Sequence, residues 1–100
     1  MIKFDVENSG KVTIGKYVSQ DDYGKSELNY FKYFVNGKEL RANGGRAPRN
    51  FRRNIGKFYS IQFSTKYPNS IQANFDNEVT DQNRILEAGF DSEDIKTEKD

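Results

Sequence analysis

The chain has 100 residues, with 16 Lys and Arg against 15 Asp and Glu, and it contains neither Cys nor His. That length supports one domain, and the missing residue types exclude a disulfide framework, a thiolate zinc site, a thiol nucleophile and an imidazole base. Only 34% of the residues are apolar and the mean hydropathy is −0.95, yet 8 Phe and 6 Tyr supply enough large rings for a small core under a polar surface.

The elements follow in chain order. Ile2, Phe4 and Val6 alternate with Lys3, Asp5 and Glu7, the period of a half-buried strand. Asn8-Ser9-Gly10 signals a turn, and Val12, Ile14 and Val18 share one face of a second strand that Lys16 interrupts. Gly15 within it marks a bulge or a close approach of another backbone. The polar stretch "SQDDYGKSE" at 19–27 reads as a loop.

"LNYFKYFV" at 28–35 is the most apolar run. It sets Tyr30 and Phe34 on one face and Phe31, Tyr33 and Val35 on the other, so both faces are expected to be covered. Asn36-Gly37 is a hairpin turn, with Lys38 to Ala42 as the return strand. Asn43-Gly44-Gly45 and Ala47-Pro48 then break regular structure. The segment to residue 57 is expected as a loop, with one helical turn across 49–54.

"KFYSIQFST" at 57–65 turns Tyr59, Ile61 and Phe63 to one side, and a turn at Pro68-Asn69 leads to Ile71, Ala73 and Phe75. Thr80 is read as the N-cap of a helix over about 81–88, which Gly89 ends, with Phe90 folding back onto Ile85. Ser92, Glu93 and Asp94 open one more turn that Ile95 anchors. The expected fold is mainly β: a small antiparallel barrel of about five to six strands, SH3-like or OB-like, with one C-terminal helix plugging or edging it. The domain is expected to cover 1–95, with 96–100 a frayed tail.

From residue 12 to residue 75, "VTIGKYVS", "YFKYFVNGKEL" and "IGKFYSIQFSTKYPNSIQANF" give a layout that resembles small uncharacterised bacterial β proteins and membrane-tethered domains of unknown function. Those share an aromatic Y-x-F-x-V-N-G-K hairpin and a late G-x-x-Y-x-V-x-Y-x-x-K-N-P-x-x-S hairpin. Here Ile55-Gly56-Lys57 and Lys66-Tyr67-Pro68-Asn69-Ser70 hold the matching positions, and Tyr67-Pro68-Asn69 departs from the usual Asn-Pro order. The resemblance implies a β fold and no catalytic residue. Its members often carry a lipid or transmembrane anchor.

No apolar run here approaches the ~18 residues that span a bilayer, and "MIKFDVENSG" has no apolar signal stretch. Taken from Met1, the chain is expected in the cytoplasm, or with the envelope if it is a trimmed piece of a longer protein.

Chemistry is sparse. Asp21-Asp22 and Glu93-Asp94 are adjacent pairs whose members point apart, which is how solvated charge reads. "DNEVTD" at 76–81 offers Asp76, Glu78 and Asp81 but lacks the glycine turn and terminal glutamate of a calcium loop. No phosphate-binding glycine motif occurs. The expectation is no enzyme, no cofactor and no metal.

Charge is the remaining lead. Residues 1–75 hold 13 Lys and Arg and 6 Asp and Glu, a balance of +7, while residues 76–100 hold 3 and 9, a balance of −6. "GGRAPRNFRRNIGKFY" at 44–59 concentrates the cations: Arg46, Arg49, Arg52, Arg53 and Lys57, with Phe51 among them. Arginine and aromatic residues dominate protein interfaces, so these six residues are the expected contact of a small non-enzymatic binding module. The expected partner is a protein, as for an inhibitor or immunity protein. The alternative is single-stranded nucleic acid gripped by the arginine-rich loop 41–57, with Phe51 and a surface tyrosine, Tyr30 or Tyr33, stacking bases. A solvated loop that pairs with the acidic helix would account for the same charges.

Overall fold

A computed structural model describes residues 10–23 and 26–96. The expected strand around Ile2, Phe4 and Val6, and all of the expected tail beyond residue 96, lie outside the described residues. Five antiparallel strands form one sheet in the order β3-β2-β1-β4-β5: β1 is Gly10–Tyr23, β2 Ser26–Val35, β3 Lys38–Asn43, β4 Phe58–Ser64 and β5 Ile71–Glu78.

The fold is therefore mainly β, as the alternation implied, but the sheet is not closed as a barrel. Its two edges meet at one backbone hydrogen bond, from Ala73 N to Gly44 O at 2.9 Å. Only glycine permits that approach, since a Cβ at Gly44 would lie 2.8 Å from the Phe31 ring and 2.9 Å from the Ala73 methyl. A single bond is no ladder.

The stretch 19–27 also differs from its reading as a loop. β1 continues to Tyr23 and β2 begins at Ser26, with Ser19 facing Tyr30 and Tyr23 facing Ser26. Two paired strands satisfy each other's backbone groups without apolar side chains, so polar composition alone does not end them. The register shifts at Val18. On either side of that bulge β1 serves different neighbours, pairing β4 from Gly10 to Lys16 and β2 from Lys16 onward. The Asn36-Gly37 turn forms as its residues demand, with φ of 54° and 81°.

Each face of the sheet carries its own core. The inner face gathers Tyr17, Phe31, Tyr33, Ala42, Tyr59, Ile61 and Ala73, and Phe51 caps them from the 3-10 turn Phe51–Asn54. The plug is thus this turn between β3 and β4. The C-terminal segment lies instead on the outer face, where Val79, Ile85 and Phe90 cover Ile14, Phe58 and Phe34. It comprises α1 (Gln82–Glu87) and α2 (Ser92–Lys96). The cap of α1 is Asp81, one residue after the expected Thr80: its carboxylate accepts from Asn83 N and Arg84 N. Asp91 and Asp94 cap α2 reciprocally, Asp94 N bonding Asp91 Oδ1 and Asp91 N bonding Asp94 Oδ2, both at 3.1 Å.

The cationic connection as candidate functional site

The connection between β3 and β4 carries the arginines, and it is fastened at both ends and in the middle. At its start, Asn29 on β2 is fully buried. Its carbonyl accepts from Gly44 N at 2.8 Å, and its Nδ2 donates to Gly45 O at 2.8 Å. Asn43 Oδ1 accepts from Asn29 N and Gly45 N. The same Asn29 Oδ1 accepts from Tyr17 Oη at 2.8 Å and Gln20 Nε2 at 2.9 Å. Among the described residues no buried side-chain nitrogen or oxygen is left without a partner, so this network locks the root of the connection.

Its far end is tied by Gly56 N to Tyr17 O at 2.8 Å and Tyr17 N to Lys57 O at 2.9 Å. In the middle Phe51 enters the core, 7% exposed, with its ring 5.2 Å from Tyr17, 5.2 Å from Tyr59 and 4.9 Å from Phe75. Phe51 therefore turns away from the arginines and presents no ring to a partner. Apolar area is scarce in this chain, and a lone ring in a polar segment is worth about 1.5–3 kcal/mol when buried. The same scarcity explains why the fold buries this ring.

The cations stay outside. Arg41, Arg46, Arg49, Arg52 and Arg53 are exposed, and Lys57 is half-buried. Arg52 Nη2 donates to Gln20 O at 3.1 Å, which holds it against β1. Arg46, Ala47 and Arg49 line an open groove of about 350 Å³ with Glu27. Ile55, 42% exposed, is the one large apolar side chain exposed among them.

Among the described residues none of these cations is in an ion pair. Among the described residues the acidic end makes no ion pair with them. It reaches the strand lysines instead, with Asp94 Oδ1 2.8 Å from Lys32 Nζ and Asp94 O accepting from Lys16 Nζ at 2.8 Å. Burial alone would raise the Asp94 carboxyl, but its hydrogen bond from Lys32, backbone bonding at Asp91 and the Lys32 charge hold it below the ordinary value.

The two tyrosines considered as a stacking platform separate. Tyr33 is fully buried, its hydroxyl donating to Pro68 O at 2.6 Å, and desolvation pushes it up to about 12. Tyr30 is half-buried on the outer face. Tyr17 is raised as well, by burial first and by Glu27, against opposing effects of Gln20 and Arg52. An open groove of about 520 Å³ is lined by Val12, Ser60, Gln62, Gln72, Asn74 and Asp76 among others, and none of the described residues lining it is basic. Asn29, the anchor of the connection, gave no sequence signal, since an Asn inside an apolar strand reads as an interruption. No family model, curated protein or solved structure matches the chain.

Proposed function

We propose that this chain is a non-enzymatic binding module whose β3–β4 connection grips a polyanion, with the backbone of single-stranded nucleic acid as the partner the geometry supports best. The observation that carries the reading is a rigid mount for exposed charge: Arg46, Arg49, Arg52 and Arg53, none in an ion pair among the described residues, on a segment pinned by Asn29, Phe51 and Tyr17. Guanidinium forks suit phosphate oxygens, and a surface that is already ordered loses little entropy on binding. The strand order, with β1 between two neighbours and the outer edges touching at Gly44 and Ala73, supports the reading by its likeness to partly open five-stranded Greek-key sheets. That architecture often serves single strands.

A protein partner is the second reading, favoured by Ile55, which gives the arginines an apolar neighbour. An inhibitor-like module with an acidic target fits it. The test is binding of a labelled oligothymidylate over a salt series, with Arg52→Ala and Arg53→Ala alongside. Nucleic-acid binding weakens steeply with salt, and the double variant flattens the log–log slope by about 0.7 for each lost contact. Absence of binding at low salt, together with a salt-insensitive complex with a defined protein, would favour the second reading.

A further inference from the structure

On the outer face, three cations stand directly opposite one another across three strands: Lys16 of β1 faces Lys32 of β2, and Lys32 faces Arg41 of β3. Like charges in cross-strand register repel. Lys16 is 8% exposed and the Lys32 side chain 17%, and an ammonium taken out of water needs an anion or oxygen dipoles. Each lysine also lies over a phenyl ring, Lys16 over Phe58 and Lys32 over Phe34, both at 5.8 Å.

The chain supplies the anion itself. Phe90 wedges between Phe34 and Phe58, with ring centroids 5.1 and 5.0 Å away. One turn later Asp94 offers its carboxylate to Lys32 and its carbonyl to Lys16. Among the described residues, the ion pair made by this row is that of Lys32 with Asp94. Arg41 is exposed, and among the described residues it has no ion pair. The device that delivers Asp94, α2, is only five residues long, and Ile95 is a partly buried apolar anchor within it.

Building on the nucleic-acid reading, we infer that the row Lys16–Lys32–Arg41 is a second phosphodiester-binding surface and that Asp94 occupies it in cis as an autoinhibitory latch. The carboxylate and a phosphate oxygen accept the same charge-assisted hydrogen bond from Lys32, so the two compete. Release of α2 beyond Phe90 opens the row while the apolar wedge stays in place. Tyr30, two residues along β2 on the same face, flanks the opened row.

The experiment measures anisotropy of a labelled oligothymidylate of about 15 nucleotides, within the site size of such sheets, over a salt series. The proteins are the wild type, Asp94→Asn, Lys32→Gln and the double variant. Asp94→Asn is expected to bind about fivefold tighter at about 50 mM salt, with a slope steeper by about 0.7, one more phosphate contact on a single strand. Lys32→Gln leaves the wild type within about twofold, because Lys32 is already engaged, but it abolishes the gain in the Asp94→Asn background. The double variant breaks the same pair without freeing a lysine, so it separates latch release from loosened packing.

Equal affinity and slope for wild type and Asp94→Asn would remove the latch and leave the nucleic-acid reading standing. Lys32→Gln weakening the wild type as much as Asp94→Asn would show the row already open. No binding by any of the four at low salt overturns both. A polyglutamate peptide that gains from Asp94→Asn as oligothymidylate fails to would overturn the assignment to phosphodiesters.

Discussion

On the inner face of the sheet, rings from several strands interlock: Phe31 stacks on Tyr17 at 5.2 Å and meets Tyr59 and Phe75 edge-on at 6.3 and 5.7 Å. On the outer face one ring, Phe90, is held between two others, and a lysine pair closes over the end of the segment that carries it. The inner core is made by the sheet itself, whereas the outer core depends on a segment that arrives after the last strand. The contrast teaches where each kind of energy sits. Dispersion and burial hold the strands together, charge fixes α2, and the β3–β4 cations contribute to neither.

Removing rings from the two cores gives the largest expected effects. Phe31→Ala, at a fully buried position shared by Tyr17, Tyr59 and Phe75, is expected to cost about 4 kcal/mol. Phe90→Ala is expected to cost about 3 kcal/mol, read from urea midpoints at unchanged slope. The near-UV circular dichroism of the inner tyrosines should survive in folded Phe90→Ala and change in folded Phe31→Ala. Equal spectral change in both would mean that the two faces are not separate units.

Much of this division follows from alternation. Tyr59, Ile61 and Phe63 share a side, Phe31 and Tyr33 oppose Tyr30 and Phe34, and Asn36-Gly37 reverses the chain because both residues take positive φ. The helical turn within 49–54 is also present, as Phe51–Asn54. What local pattern does not contain is pairing over distance. Lys16 breaks the apolar face of its strand, and nothing near it shows that Asp94, 78 residues away, supplies its oxygen partner. Closure of the sheet is equally non-local, since it depends on pairing between the edge strands, which meet at the Ala73–Gly44 bond without a ladder. In the candidate site the cations were legible as a cluster. The burial of Phe51 was not, because an aromatic ring beside arginines has the same sequence whether it faces a partner or the core.

pH sharpens the contrast at intermediate size. Tyr33 is raised from 10.0 to about 12 by burial. A raised folded-state value means that its contribution is intact below pH 10 and is lost as pH climbs through about 12, at most about 3 kcal/mol. Tyr17 titrates in the same sense. Asp94 on the outer face is lowered from 3.8. Its contribution, about 1.5–3 kcal/mol for a hydrogen bond to a charged group, is present above the unfolded value and is lost as pH falls below 3.8 through the folded one. The deficit of Asp94→Asn relative to wild type should therefore be present at neutral pH and change little as the tyrosines begin to titrate. At acid pH the wild type should converge on the variant. Loss of the variant's deficit at high pH instead of low pH would contradict this assignment of charge to the outer face.

The smallest expected effect on stability is also the most direct test. A variant with Arg46, Arg49, Arg52 and Arg53 all changed to Ala should melt within about 2 °C of the wild type, because exposed surface cations contribute little to folding. The same sample should lose most of its affinity for oligothymidylate and most of the salt dependence of what is left. A clear drop in melting temperature with affinity unchanged would contradict the account, placing those side chains in the fold and the contact surface elsewhere.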